Sequence, residues 1–279
     1  MIAVGNEYYW SRAELADHLT ALGLRKGDSV MVHTAMRTVG SCLNGADDVI
    51  AALLQVIGDN GTVLCYINWL ENYEDSTDAA GRVPEALKPL IAPFDVSRSR
   101  ASPDHGIFAE CFRTRANVLR SANPGASVAA VGAKSTYFTE NHSLLYGYGE
   151  DSPFGRLVAE NGKVLMLGAP ADTMSLLHHA ESIAPLKDKR LRFKELPLYQ
   201  AGGHVRWVMC EEFDTVDSVC DCFPDGYFAA VVVGFCREMT DARHGKVGSA
   251  DSLLVSARPM CDFAVRWMTD YQQNSYSAK

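Results

Sequence analysis

The chain has 279 residues, 47% of them apolar, enough for a substantial core in one domain or two. Its 22 glycines and 11 prolines are ordinary numbers, which excludes a collagen-like or low-complexity chain. The formal net charge of −8 disfavours nucleic acid and anionic lipid as partners and suits cationic ones, although solubility alone also accounts for it.

The opening stretch MIAVGNEYYWSRAE has no apolar run of signal-peptide length. No later stretch approaches the roughly 18 uncharged apolar residues of a membrane span, so the expected address is the cytoplasm. Ser11 to Gly23 reads as a helix: Ser11 and Glu14 form a capping box, Trp10 and Leu15 a hydrophobic staple, and Leu15, Leu19 and Leu22 share a face. Ser29 to His33 is a short apolar run and reads as a buried strand. Ala46 to Ile57 reads as a helix, and a Gly-Asp-Asn-Gly turn separates it from a strand over Thr62 to Ile67.

The polar segment from Asn68 to Asp104 lacks periodicity. Loops of that length inside a compact domain are uncommon and often functional. Val164 to Leu167 is a further strand and Ser175 to Ala184 a helix closed by Pro185. Val205 to Cys210 reads as a strand and Tyr227 to Met239 as a helix. Pro259 opens a last helix ending near Tyr271. Strands alternating with helices predict an α/β fold with a mixed central sheet flanked by helices, in one domain over residues 1–279.

Three constellations carry chemistry. The strand-to-helix junction His33-Thr34-Ala35-Met36-Arg37 leaves backbone N–H groups free for an anion, with Arg37 as a clamp. An ordinary turn is the plainer account, and neither GxGxxG nor GxxxxGK[ST] is present. His178 and Glu181, three apart on a helix, can meet, and a carboxylate that fixes an imidazole makes a general base. From spacing alone, a helix face with no catalytic role is the plainer account. His178 and His179, being adjacent, point to different faces, so a shared metal is not expected. The third is the acidic, aromatic loop of Tyr66, Trp69, Glu71, Tyr73, Glu74, Asp75 and Asp78, with a second cluster at Glu211, Glu212, Phe213, Asp214 and Asp217. Carboxylates beside aromatic faces suit a polycationic sugar, though a solvated acidic loop has the same composition. The eight scattered cysteines form no CxxC pair, read as reduced, and occupy no motif that would activate a thiolate.

In order and spacing these segments resemble the aminoglycoside 3-N-acetyltransferase family, from about Ala13 to Trp267. The pieces that carry the resemblance are Leu22 to Asp28, Val32 to Arg37, Gly45-Ala46, Gly61-Thr62-Val63, Tyr66 and Trp69. Arg120-Ser121, Gly149, Ser152-Pro153, Leu167-Gly168-Ala169, Leu177-His178 and Ala180-Glu181 continue it. The resemblance implies a fold distinct from the common GNAT acetyltransferases, acetyl-CoA as donor, and direct attack by an amine of the antibiotic in a ternary complex. It assigns His33, Thr34, Met36 and Arg37 to the pyrophosphate of CoA, and Ser152 and Pro153 to CoA as well. His178 becomes the base oriented by Glu181, with His179 on a variable position. Tyr66, Trp69, Glu71, Asp75 and Asp214 are assigned to the drug. The chain departs from the family pattern at Asn123, where a histidine is common, with His142 an open substitute, and at Thr34, where serine is commoner. A monomer or homodimer conferring resistance is expected. An acetyltransferase of the same fold acting on another small amine, and a CoA-binding protein without turnover, are the alternatives.

Overall fold

The computed structural model describes residues 1–69, 73–200 and 202–277. Strands Ile2–Val4 (β1) and Glu7–Tyr9 (β2) pair as an exposed hairpin ahead of helix Arg12–Leu22 (α1). The capping box at Ser11 forms: Ser11 Oγ accepts from the Glu14 N–H at 3.2 Å and Glu14 Oε2 accepts from the Ser11 N–H at 3.0 Å. Then come Ser29–Thr34 (β3), the single turn Met36–Val39 (α2), Ala46–Ile57 (α3), Thr62–Tyr66 (β4), Gly106–Arg113 (α4), Leu119–Arg120 (β5) and Val128–Gly132 (β6). Ser135–Thr139 (α5), Pro153–Ala159 (α6), Lys163–Leu167 (β7) and Leu176–Ile183 (α7) follow. The chain closes with Leu191–Tyr199 (β8), Val205–Phe213 (β9), Tyr227–Glu238 (α8), Arg243–Val247 (β10), Ala250–Ser256 (β11) and Ala257–Ser277 (α9).

Seven strands form one mixed sheet in the order β10-β11-β7-β3-β4-β6-β5. Its centre is parallel, with β3 pairing β4 and β7, and the other pairs are antiparallel. Period-2 alternation sorts the central side chains between two cores. Val30, Val32, Val63, Cys65, Leu165 and Leu167 pack under α1, α3 and α4. Met31, Leu64, Val164 and Met166 pack under α7, α8 and α9. A strand buried on both faces is apolar throughout, which explains why SVMVH shows no alternation. The mixed, helix-flanked sheet is the architecture the sequence predicts.

Several elements differ from the sequence reading. The strand expected over Val205 to Cys210 reaches Phe213 and pairs only with β8, in a hairpin outside the main sheet. The last helix runs to Ser277 rather than Tyr271. Its polar end is held by buried Gln272, whose Oε1 accepts from the Lys187 N–H at 2.8 Å and whose Nε2 donates to the Lys187 carbonyl at 3.0 Å. The segment predicted as a long loop has short 3₁₀ turns but no longer element from residue 73 to Ser102, and it is tied down. Glu195 of β8 accepts from the Val83 N–H at 2.9 Å and from Lys88 Nζ at 2.9 Å, and the Phe94 N–H donates to the Pro197 carbonyl at 2.7 Å. Arg120 spans its base, donating to the carbonyls of Ser99 at 2.5 Å and Ile67 at 2.7 Å. A packed strap therefore lies against the β8–β9 hairpin.

Candidate active site

The parallel strands β3, β4 and β7 stop side by side, at Thr34, Tyr66 and Leu167. Open α/β sheets bind ligands beyond these carboxyl ends. A cavity of about 620 Å³ opens here, walled by His33, Thr34, Arg37, Tyr66, His105 and His178 among others.

The junction after β3 is built by backbone pairing across strand ends. The Ala35 N–H donates to the Leu167 carbonyl at 3.0 Å, and Thr38 Oγ1 donates to the Ala35 carbonyl at 2.8 Å. The N–H groups of Met36 and Arg37 open α2 and so have no acceptor within it. The close approach demands Gly168: its φ is +65°, and a Cβ there would stand 1.8 Å from Thr38 Oγ1. Arg37 is exposed and lines the cavity. Beside it, His33 Nε2 and Thr34 Oγ1 are buried polar atoms with no hydrogen-bond partner among the described residues. Such orphans are rare unless a ligand completes them. Burial lowers the His33 pKa to about 3, with nearby His105 and His178 adding to the effect, so the ring is neutral at physiological pH.

His178 and Glu181 come together on one face of α7. His178 Nδ1 lies 2.7 Å from Glu181 Oε2. A carboxylate can only accept, so Nδ1 is the donor and the lone pair of the neutral ring sits on Nε2. The imidazole sits between aromatic rings, 5.0 Å from Tyr148 and 4.9 Å from Phe228 by centroids. It is part-exposed to the cavity, whereas Glu181 is 2% exposed. Glu181 Oε1 also accepts from the Tyr227 hydroxyl. His179 turns to the opposite side, where its Nδ1 meets the Tyr148 carbonyl at 2.7 Å in the core, and burial lowers its pKa. The adjacent histidines thus part company, as expected.

Sequence reading missed His105. It lies in the turn Pro103–His105 before α4 and wedges edge-on against Tyr66 at 4.8 Å. It is hydrogen-bonded to Asn68 Oδ1, and burial lowers its pKa to about 4. Its only sequence signal is the Pro-Asp-His-Gly turn, which has no spacing relation to the other site residues. Tyr66 reaches the Tyr148 hydroxyl at 2.7 Å and the Gly125 carbonyl at 3.0 Å. Cys65, the cysteine in the cavity wall, has its thiol pushed up to about 12 by burial and is no nucleophile at neutral pH.

Other sequence candidates lie elsewhere. Ser152 is buried, and its Oγ accepts from the Gly155 N–H at 3.2 Å as the N-cap of α6, with Pro153 as the first helical residue. Neither lines the cavity. Trp69 packs against Tyr73 and Phe94 at 6.2 and 5.7 Å, in the small core under the strap. Asp75 is exposed on the strap, and Glu71 lies outside the described residues. Asp214 is buried, 3.9 Å from both Arg190 and Arg192, and caps a turn through the N–H groups of Val216 and Asp217. Its neighbour Glu212, singled out only as part of an acidic run, is half-buried and lines a separate pocket with Arg192 and Lys194. Burial raises its pKa to about 7, opposed by N–H donors from Phe213, Gly147 and Tyr148 and by proximity to His178. His142 is structural: buried, it sits 2.8 Å from Ser121 Oγ and 2.7 Å from the Gly147 carbonyl.

Among the described residues no group of three or more His, Cys, Asp or Glu is placed to hold a metal ion, and no helix is long and apolar enough to cross a membrane.

Residues 31–269 match a family described as aminoglycoside 3-N-acetyltransferase. The chain is 38% identical over 262 residues to aminoglycoside N(3)-acetyltransferase III of Pseudomonas aeruginosa, covering 92% of this chain and 93% of that one. It superposes on the solved structure of AAC-IIIb in binary complex with CoASH with a TM-score of 0.92 at 47% identity, over 94% of this chain and 97% of that one. The structure of AAC-VIa bound to sisomicin gives a TM-score of 0.89 at 31% identity, over 94% and 98%.

Proposed function

The chain belongs to the aminoglycoside 3-N-acetyltransferase family, and on that premise we propose that His178 is the base that takes the proton from the drug's 3-amine during acetyl transfer. Acetyl-CoA is the donor. Bound, it supplies the acetyl thioester that the amine attacks. The observation that carries the reading is the 2.7 Å pairing of His178 Nδ1 with Glu181, in the wall of the cavity that also holds the junction after β3.

Each residue then has a physical task. The N–H groups of Met36 and Arg37, with the Arg37 guanidinium, offer the charge-assisted donors that a pyrophosphate needs. Their fit to CoA is supported by the orphaned atoms beside them, because the buried Thr34 hydroxyl and His33 Nε2 await a polar partner. Thr34 Oγ1 is the candidate donor to the oxygen on which negative charge develops. Glu181 fixes the tautomer of His178 and compensates the imidazolium once Nε2 has taken the amine proton. Of the carboxylates, Asp104 and Asp172 line the cavity and can meet the ammonium groups of the drug, whereas Glu212 does not line it. Asp214 is instead occupied by Arg190 and Arg192.

The test is His178→Ala. Turnover is expected to fall by about 10²- to 10⁴-fold, the usual contribution of a positioned base, while CoA binding measured by calorimetry is kept. Near-normal turnover would reject the assignment.

A further inference from the structure

Glu181 is a charged group placed where charge is expensive, at 2% exposure in the core beneath the cavity. A buried carboxylate persists as an anion only if both oxygens find donors. One oxygen takes the Nδ1–H of His178 and the other takes the hydroxyl of Tyr227, the first residue of α8. Lys189 contributes charge at longer range, but its ammonium donates to the Ser182 carbonyl at 2.8 Å.

The tyrosine has little freedom to do anything else. Its ring is stacked on Phe223 at 4.5 Å and 16°, lies parallel to Trp267 at 6.2 Å and 13°, and meets Phe228 edge-on at 5.0 Å. Phe228 in turn borders the imidazole of His178. Burial and the neighbouring carboxylate push the phenol's pKa far up, so the hydroxyl is a permanent donor. Tyr227 does not line the cavity, so it acts only through its neighbours.

We propose that Tyr227 is a positioning residue for the acetyl transfer. Its hydroxyl fixes the rotamer of Glu181, which aims His178 Nε2 at the amine. The phenolic proton stays on Tyr227 throughout, while the amine nitrogen bonds to the acetyl carbon, the C–S bond breaks, and the amine proton passes to His178 Nε2 and then to the departing CoA sulfur. The inference rests on the reading of His178 as base given above.

The experiment is a double-mutant cycle of Tyr227→Phe and His178→Ala, with kcat and both KM values measured for all four enzymes. In the wild-type background Tyr227→Phe is expected to cost about tenfold or more in kcat, the scale of one hydrogen bond to a charged group, with KM for acetyl-CoA and drug within about twofold. In the His178→Ala background the same change is expected to cost nothing further. A wild-type kcat in Tyr227→Phe, with His178→Ala impaired, overturns the role of Tyr227 and leaves the base assignment standing. A loss of full size in both backgrounds shows a merely structural effect and also overturns it. A near-normal His178→Ala sinks both readings. Incorporation of 3-fluorotyrosine at Tyr227 keeps the donor and is expected to keep kcat. A loss of about tenfold or more in the fluorotyrosine enzyme overturns the role of Tyr227, and that outcome stands even if the Phe variant fails to fold.

Discussion

Replacing Glu181 with glutamine removes one charge and almost no volume. The amide oxygen can still accept from His178 Nδ1 and the amide nitrogen can donate to the Tyr227 oxygen, so the geometry of the dyad survives. What is lost is the ion pair that forms when the imidazole gains the amine proton. Charge centres roughly 4 Å apart attract by about 4 kcal/mol at an effective dielectric of 20. The glutamine retains a neutral hydrogen bond of about 1 kcal/mol. The net deficit of about 2–3 kcal/mol falls on the transition state and converts to roughly 30- to 150-fold in kcat. Thiol release from acetyl-CoA, followed with saturating drug, measures it. The two KM values are expected to stay near wild type, because neither substrate needs the charge in the ground state. A kcat within about threefold of wild type would refute the reasoning, as would a loss carried wholly by KM.

Thr34→Val replaces a buried, unpartnered hydroxyl with a methyl group, so the ligand-free protein is expected to gain about 1 kcal/mol, some 2–4 °C in Tm, while kcat falls by up to about 100-fold. A variant that is no more stable and fully active would remove Thr34 from the site. Ser152→Ala deletes the N-cap of α6 and is expected to cost about 1 kcal/mol of stability with KM for acetyl-CoA unchanged, whereas a raised KM would return Ser152 to the CoA contacts. His142 has its pKa lowered by burial from 6.5 to about 4, so the unfolded chain binds a proton before the folded one does. Stability from this group is complete above pH 6.5 and is lost as pH falls toward 4, by about 3 kcal/mol in all. His142→Gln is expected to flatten the pH dependence of urea midpoints across that window, and an unchanged slope would contradict the assignment.

The elements that sequence reading found are those whose signal is local. The capping box at Ser11, the apolar stripe of Ala46 to Ile57 and the buried run at Ser29 need no knowledge of distant residues. Several of the strands it missed have little periodicity of their own. Arg243–Val247 is a polar strand at the edge of the sheet, and Leu119–Arg120 is two residues long. Val128–Gly132 is largely alanine and glycine. These form because β11, β6 and β4 offer them a ladder, which is tertiary information.

The same division runs through the site. His178 and Glu181 were legible because i,i+3 spacing on a helix is itself a contact. Tyr227 reaches the dyad from 46 residues beyond Glu181, and nothing in its own segment announces it. Among the acidic residues composition offered no way to choose. Asp214 and Glu212 differ by two positions, yet one is tied to arginines and the other takes N–H donors from Phe213, Gly147 and Tyr148.

The strap and the β8–β9 hairpin hold each other outside the seven-stranded ladder: the Glu195 N–H donates to the Gly81 carbonyl at 2.8 Å, and Phe94 pairs with both Pro197 and Tyr199. The junction after β3, by contrast, is welded into three strand ends whose hydrogen bonds would all have to slip together. Substitutions in the strap and hairpin can therefore reshape that outer layer while the ladder that shapes the cavity floor stays intact.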